Sequence, residues 1–137
     1  TGQRPGDILK ARRQDIIEGV LWFVQEKTGK RLGLRLEGEL ARVLERILAR
    51  KRPSIYLISD RHGQRVSYNA LNGRFRKARG GADWQFRDIR AKAATDSPDL
   101  KRAQELLGHA KETTTTVYRR SKGDVVSPLK RAEFRTD

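Results

Sequence analysis

The feature of this sequence that most constrains its fold is a change in the spacing of the apolar residues near residue 37. Before that point, residues 15–25 mix β-branched with aromatic side chains, and residues 31–36 alternate strictly. Two such segments joined by the polar turn 27–30 predict a β-hairpin. After it, the apolar residues of 38–50 recur at the i, i+3, i+4, i+7 spacing of an amphipathic helix. The chain is therefore expected to combine a small antiparallel sheet with helices.

Helices are expected to make up most of the remainder. Pro5 suits the first turn of one helix, and Ser67 suits the N-cap of another that ends at Gly80-Gly81. The run Ser97-Pro98-Asp99 predicts a helix start, with Ser97 as the cap, Pro98 in the first turn and Asp99 as an acid near the positive end of the dipole. Gly108 predicts the end of this helix. Further expected elements are a buried strand at 55–58, a helix from Arg87 to about Thr95, and a short helix or turn at 113–118. The predicted fold class is α+β, mainly α-helical, with a small antiparallel β-sheet or hairpin.

The length of the chain fits a single domain. Its 137 residues are enough to bury a core, and the sequence contains no visible internal repeat. We expect residues 1–119 to form this domain. Residues 120–137 carry few apolar side chains, so we expect a C-terminal tail that is extended or partly disordered. The abrupt start at Thr1-Gly2 predicts that the chain is a fragment.

Positive charge dominates the composition. Lys and Arg number 31 against 17 Asp and Glu, a formal net charge of +14. A surplus of this size predicts salt-sensitive attraction to a polyanion, and nucleic acid is the first candidate. An anionic membrane surface is the alternative, but the sequence shows no basic amphipathic helix with an aromatic apolar face. We therefore expect a nucleic-acid partner and no membrane partner.

Several classes of site are excluded by residue type. The chain has no cysteine, so it forms neither disulfides nor thiolate metal sites. His62 and His109 lie far apart and cannot form a zinc site alone, and we expect no metal and no cofactor. No apolar run approaches the roughly 18 residues of a membrane span. No signal peptide opens the chain, so the cytoplasm is the simplest expected location.

The chemistry of the chain is expected to lie between residues 86 and 118. A tyrosine phenol has an unperturbed pKa of about 10, so Tyr118 needs cations or a base to act as a nucleophile. Arg87 and Arg90 share one helical face and suit a phosphodiester, whose oxygens match their planar forks. His109 follows the helix-ending glycine and suits a phosphate contact or a proton shuttle. The alternatives are a packing tyrosine, a solvated basic face and a structural histidine.

Two further cations lie at the other end of the chain. Arg4 precedes the first helix, and Lys27 lies at the hairpin tip. By default both are solvated charges. Spacing alone does not link them to Tyr118.

Five segments in fixed order resemble the tyrosine recombinases, or phage-type integrases. Residues 1–7 (TGQRPGD) resemble the family's first-arginine motif, and 27–31 (KTGKR) resemble its hairpin lysine. Residues 86–95 (FRDIRAKAAT) resemble its His-x-x-Arg box, 105–109 (ELLGH) its Leu-Gly-His motif, and 113–118 (TTTTVY) its nucleophile segment. Each motif is weak alone, but five in order are specific. The resemblance covers nearly the whole chain and implies an integrase-type catalytic domain over 1–119.

The resemblance also implies a mechanism. Tyr118 would attack the scissile phosphate, form a 3′-phosphotyrosyl bond and release a 5′-hydroxyl. Arg4 and Arg90 would bind the non-bridging oxygens, His109 would donate to the same phosphate, and Lys27 would protonate the leaving oxygen. No metal is implied, since the arginines neutralise the charge. The implied function is a phage- or genomic-island-type integrase that recombines DNA at specific sites.

Two residues occupy family positions that bear on the implied mechanism. Asp7 matches an acidic supporting position behind the site. Arg87 stands where the family usually has histidine, and arginine can hold a phosphate but cannot act as a base near neutral pH. The interval from Arg90 to His109 is also shorter than the common pattern. One alternative is a type IB topoisomerase-like enzyme, which shares the tyrosine chemistry. The other is a non-catalytic basic DNA-binding module, which Arg87 favours.

The resemblance extends to partners and location. It implies double-stranded DNA with attachment sites as the partner, and a homo-oligomer on DNA in which the tail 120–137 docks on a neighbouring protomer. Accessory proteins that bend DNA or set direction are possible partners. The implied location is a bacterial cytoplasm, at the nucleoid, for a bacterial or phage-encoded protein.

Overall fold

The fold of this chain is a set of short helices around a small sheet. The computed structural model describes residues 1–108 and 124–128. The predicted fold class, α+β and mainly α-helical with a small antiparallel sheet, is confirmed. The elements are α1 (Pro5–Lys10), a 3-10 turn (Arg13–Asp15), β1 (Ile16–Ile17), β2 (Val20–Val24), β3 (Arg31–Arg35), α2 (Gly38–Leu48), α3 (Tyr68–Arg79), α4 (Phe86–Thr95), α5 (Leu100–Leu107) and β4 (Asp124–Val126).

The sheet is built on the hairpin that the sequence predicts. Strands β1, β2 and β3 are antiparallel neighbours, and Leu21 pairs with Leu34 on the buried face. The single strand expected over residues 15–25 is divided, because Glu18 and Gly19 have φ angles of 49° and 73°. Positive φ reverses the chain and leaves β1 and β2 as separate strands.

Residues 124–126 of the predicted tail add a fourth strand. Strand β4 runs parallel to β3 and pairs Leu34 with Val126. Val126 is buried in the same cluster as the hairpin. Residues 124–126 are thus extended, and they form the edge strand beside β3 of the same chain.

One hydrophobic core joins the sheet to the helices. The fully buried side chains Leu32 and Leu34 of β3 lie at its centre. Leu40 and Ile47 of α2 are partly buried against it, which is the stripe that the sequence predicts. Alternation along the strands and the helical stripe therefore meet in one core. The buried members are Ala11, Leu21, Phe23, Leu32, Leu34, Leu44, Leu57, Ala93, Leu106 and Val126.

Two local predictions are wrong. The buried strand expected at 55–58 is only an isolated bridge from Tyr56 to Arg12, and Ile55 is 63% exposed. No longer strand lies beside it to extend the pairing. Helix α5 is capped by Asp99, whose carboxylate accepts from the Arg102 amide at 2.7 Å, instead of by Ser97. The stronger acceptor next to the helix displaces the start by two residues.

No helix among residues 1–108 and 124–128 is long and apolar enough to cross a membrane.

The hairpin has a steric constraint at Gly33. A Cβ there would lie 2.8 Å from Val20 Cγ1 and 2.9 Å from Trp22 Cζ3. We predict that Gly33→Ala lowers the free energy of unfolding by about 1–3 kcal/mol, because this overpacks the sheet. Gly73→Ala, in the open interior of α3, should instead raise it by about 0.5–1 kcal/mol. Urea denaturation of both variants measures the difference, and an equal effect would contradict the prediction.

Candidate active site

Three of the predicted site residues converge beside the start of α1. Arg4 is the N-cap of α1, Asp7 lies buried in its first turn, and Arg90 lies on α4. Burial lowers the pKa of Arg90 most, and the positive charge of Arg4 lowers it further, while Asp7 acts in the opposite direction. Arg90 donates to the Gly2 oxygen, two residues before Arg4, and such charge effects fall off with distance, so the three charges lie near one another. The fold therefore joins residues that are more than 80 positions apart in sequence.

Arg90 is anchored by two backbone carbonyls. Its Nη1 donates to the Gly2 oxygen at 2.7 Å, and its Nη2 donates to the Leu107 oxygen at 2.8 Å. The planar fork of a guanidinium matches two acceptors held at fixed positions. Arg90 thereby connects the N-terminal segment, α4 and the end of α5.

Arg4 and Asp7 each retain buried hydrogen-bonding capacity. Arg4 Nη1 and Asp7 Oδ2 are buried and have no hydrogen-bond partner in the described part of the chain. The other carboxylate oxygen of Asp7 accepts from the Glu26 amide at 3.0 Å. An unsatisfied buried guanidinium nitrogen is costly, and an anion beside it would remove that cost. The arrangement is thus suited to binding an oxyanion.

Lys27 lies on the exposed turn of the hairpin. The turn is closed by the Gln25 amide, which donates to the Lys30 oxygen at 2.8 Å. The bond from Glu26 to Asp7 holds the turn against α1, one residue before Lys27. The backbone of the hairpin tip is therefore fixed to the arginine cluster, while the lysine side chain is in solvent.

Arg87 does not join the anchored cluster. It is exposed in the first turn of α4 and lines a groove of about 520 Å³ between α3 and α4, together with Arg76 and Arg79. Asp88 completes the capping box of α4, since its carboxylate accepts from the amide of the N-cap residue Gln85 at 2.5 Å. The helical spacing placed Arg87 and Arg90 on one face, yet only Arg90 reaches the backbone carbonyls.

His109 and Tyr118 lie outside the described residues. The first described range ends at Gly108, which closes α5 with a φ of 67°. Leu107, whose oxygen accepts from Arg90, precedes His109 by two residues. In residues 1–108 and 124–128, no cluster of acidic or histidine side chains suits a metal ion.

Sequence reasoning missed two buried glutamines. Gln3 and Gln25 are 4% and 0% exposed, and they are bonded to each other at 2.9 Å. One signal was available, because Gln25 continues the buried alternation of Leu21 and Phe23 along the hairpin. A glutamine at a core-facing position requires hydrogen-bond partners, which only the tertiary structure identifies.

Comparison with protein families shows which family the chain belongs to. A family model described as the phage integrase family matches residues 1–124. The chain belongs to the phage integrase family. It is 29% identical over 145 residues to the integrase of Enterobacteria phage P21, and 31% identical over 145 residues to the prophage integrase IntE of Escherichia coli strain K12. Each match covers 90% of this chain, but the chain spans only 38% and 39% of those integrases.

Solved integrases share the fold. A lambda integrase tetramer bound to a Holliday junction aligns with a TM-score of 0.71 at 22% identity, over 86% of this chain and 40% of that one. The lambda integrase catalytic core aligns with a TM-score of 0.68 at 24% identity, over 79% of this chain and 76% of that one. The fold of this phage integrase family member is therefore that of the catalytic core.

The anchoring of Arg90 predicts a difference in stability between two arginines of α4. Arg90→Met removes charged bonds to two carbonyls and should lower the free energy of unfolding by about 2 kcal/mol. Arg87→Met, at an exposed position of the same helix, should change it by less than about 0.5 kcal/mol. Urea denaturation tests the pair, and equal losses would contradict the anchoring.

Proposed function

We propose that this chain is the catalytic part of a site-specific DNA recombinase, a phage- or genomic-island-type integrase. The proposal rests on the buried Arg4 Nη1, which has no hydrogen-bond partner among residues 1–108 and 124–128, and on the anchored Arg90 near it. Two guanidinium groups close together repel, and a phosphodiester between them would relieve the repulsion. Membership of the phage integrase family supports assigning that anion to DNA.

In the proposed reaction, Tyr118 is the nucleophile. Its oxygen forms a bond to the scissile phosphorus, the bond from phosphorus to the 5′-oxygen breaks, and a 3′-phosphotyrosyl link remains. Lys27 gives a proton to the leaving 5′-oxygen as general acid. Arg4 and Arg90 bind the non-bridging oxygens, where negative charge increases in the transition state, and His109 donates to the same phosphate. Reversal by a 5′-hydroxyl rejoins DNA without a nucleotide cofactor.

Asp7 and Arg87 have supporting roles in the proposed reaction. Asp7 holds the hairpin turn through the Glu26 amide and opposes the repulsion between Arg4 and Arg90. Arg87 supplies an exposed positive charge for a DNA phosphate and does not act as a base. The proton of Tyr118 is therefore taken by His109 or by water.

The proposed partner is double-stranded DNA carrying attachment sites. The net charge of +14 and the arginines lining the groove between α3 and α4 support it. The related lambda integrase has been solved as a dimer bound to a COC′ core site and as a tetramer on a Holliday junction. We extend this to the present chain as a homo-oligomer on DNA at the bacterial nucleoid, with accessory DNA-bending or directionality proteins as further partners.

The proposed domain division assigns catalysis to residues 1–119. Residues 120–137 form the tail, whose strand β4 lies on β3 of the same chain. In the assembly we propose that the tail docks on a neighbouring protomer, where the same pairing with β3 would be made between chains.

Covalent trapping tests the proposed function. The full natural chain is incubated with nicked duplexes tiled across the junctions between the mobile element and its host DNA. We predict a covalent DNA adduct with wild type, and none with Tyr118→Phe, because the nucleophilic oxygen is missing. Denaturing gels measure the adduct, and sequencing of the attached strand maps the site.

The control in this experiment is DNA binding. A gel shift should show that Tyr118→Phe binds the mapped duplex as wild type does. Binding without any adduct from wild type would contradict the enzyme and leave the non-catalytic DNA-binding module. Adduct formation with relaxation of supercoils but no strand exchange would instead indicate a topoisomerase-like enzyme.

A further inference from the structure

Gln25 is a fully buried amide at the base of the hairpin that carries Lys27. Its Nε2 donates to Gln3 Oε1 and to the Leu107 oxygen, both at 2.9 Å. Its Oε1 accepts from Thr28 Oγ1 at 3.0 Å. Both N–H groups of the amide are thus used, and its oxygen is occupied as well.

The partners of Gln25 each adjoin a residue of the proposed site. Gln3 precedes Arg4 in the chain, and Thr28 follows Lys27. The Leu107 oxygen accepts from Arg90 as well as from Gln25. One side chain therefore links the residue before the first arginine, the residue after the hairpin lysine and the carbonyl that holds the second arginine.

The backbone of Gln25 also defines the hairpin turn. Its N–H donates to the Lys30 oxygen at 2.8 Å, and its oxygen accepts from the Gly29 amide at 2.7 Å and the Thr28 amide at 3.3 Å. Lys27 lies within this turn, exposed, on a flexible four-carbon stem. The position of the turn backbone therefore sets the region that the ammonium group can reach.

The amide is held without free space. A Cβ on Gly108 would lie 2.5 Å from Gln25 Nε2 and 2.7 Å from its Oε1. Gly108 itself has a φ of 67°, which favours glycine on its own account. Every hydrogen-bonding group of the Gln25 amide is paired and its surroundings are closely packed, so the network has one arrangement. A displacement of the hairpin turn is therefore transmitted to Gln3 and to the end of α5.

We propose that Gln25 is a positioning residue that places Lys27 for proton transfer to the leaving oxygen. Gln25 ties the hairpin turn to the same carbonyl that holds Arg90, so the acid and the phosphate-binding arginine keep a fixed relation. This inference rests on the proposed function, in which Lys27 is the general acid. It adds a residue that acts through Lys27 and does not contact DNA.

The test compares two leaving groups on the mapped DNA site, using the full natural chain. One nicked duplex carries the ordinary scissile phosphate, and the other carries a 5′-bridging phosphorothiolate. In the second, attack by Tyr118 breaks the bond from phosphorus to sulfur, and the thiolate leaves without needing a proton. A defect in proton donation therefore disappears on the phosphorothiolate, whereas a defect in phosphate binding or folding remains.

The main variant is Gln25→Met, which keeps the length of the side chain and removes its hydrogen bonds. On ordinary DNA we expect the rate of adduct formation to fall about 100-fold, the effect of a misplacement of about 1 Å. On phosphorothiolate DNA we expect a rate near that of wild type, as for the reference variant Lys27→Ala. Val24→Thr, an isosteric change at a 66% exposed position next to Gln25, is the control and should match wild type on both substrates.

A second variant guards against misfolding of Gln25→Met. Thr28→Val removes the bond from Thr28 Oγ1 to Gln25 Oε1, together with the long bond of 3.4 Å that Thr28 Oγ1 accepts from the Lys30 amide in the same turn. It leaves Gln25 bonded to Gln3 and Leu107, so it should give a smaller loss on ordinary DNA with the same recovery. Equal losses on both substrates, or no loss, would overturn the role of Gln25. If Lys27→Ala remains slow on phosphorothiolate DNA, Lys27 is not the general acid, and the role of Gln25 is overturned as well. Absence of adduct from wild type on both duplexes would instead overturn the proposed function, and this inference with it.

Discussion

The carbonyl of Leu107 is the acceptor on which the arrangement of the site depends. Leu107 is the last residue of α5, and the last four carbonyl oxygens of a helix lie beyond its own ladder of hydrogen bonds. The Leu107 oxygen accepts from both Arg90 and Gln25. The negative end of the helix dipole favours the cation at this point. The end of one helix therefore fixes both an arginine of α4 and the base of the hairpin.

The site combines charges that would not remain together without this framework. Burial and Arg4 both lower the pKa of Arg90, yet a guanidinium stays protonated. The repulsion is offset by the carbonyls of Gly2 and Leu107 and by the carboxylate of Asp7. The folded chain thus maintains a concentrated positive charge, which in the proposed reaction would be a preorganised environment for an anionic transition state.

The sequence predicted the elements better than their junctions. The spacing of the apolar residues predicted the hairpin and α2, because one face of each is buried in a shared core. It missed the break at Glu18-Gly19 and the start of α5 at Asp99, since local backbone angles and competing caps decided them. The convergence of Arg4 with Arg90 followed from the family resemblance and not from spacing. The role of Gln25 was not predicted from the sequence, because its hydrogen-bond partners lie as far as 82 residues away.

Binding of the scissile phosphate by Arg4 and Arg90 can be tested by the cleavage rate on DNA in which a methylphosphonate replaces that phosphate. The substitution replaces one charged non-bridging oxygen with a neutral methyl group, so an arginine that neutralises that oxygen becomes less necessary. If Arg4 and Arg90 bind the phosphate, Arg4→Ala should slow adduct formation strongly on ordinary DNA and much less on the methylphosphonate. An equal loss on both substrates would show that Arg4 does not neutralise the scissile phosphate, and would contradict the account.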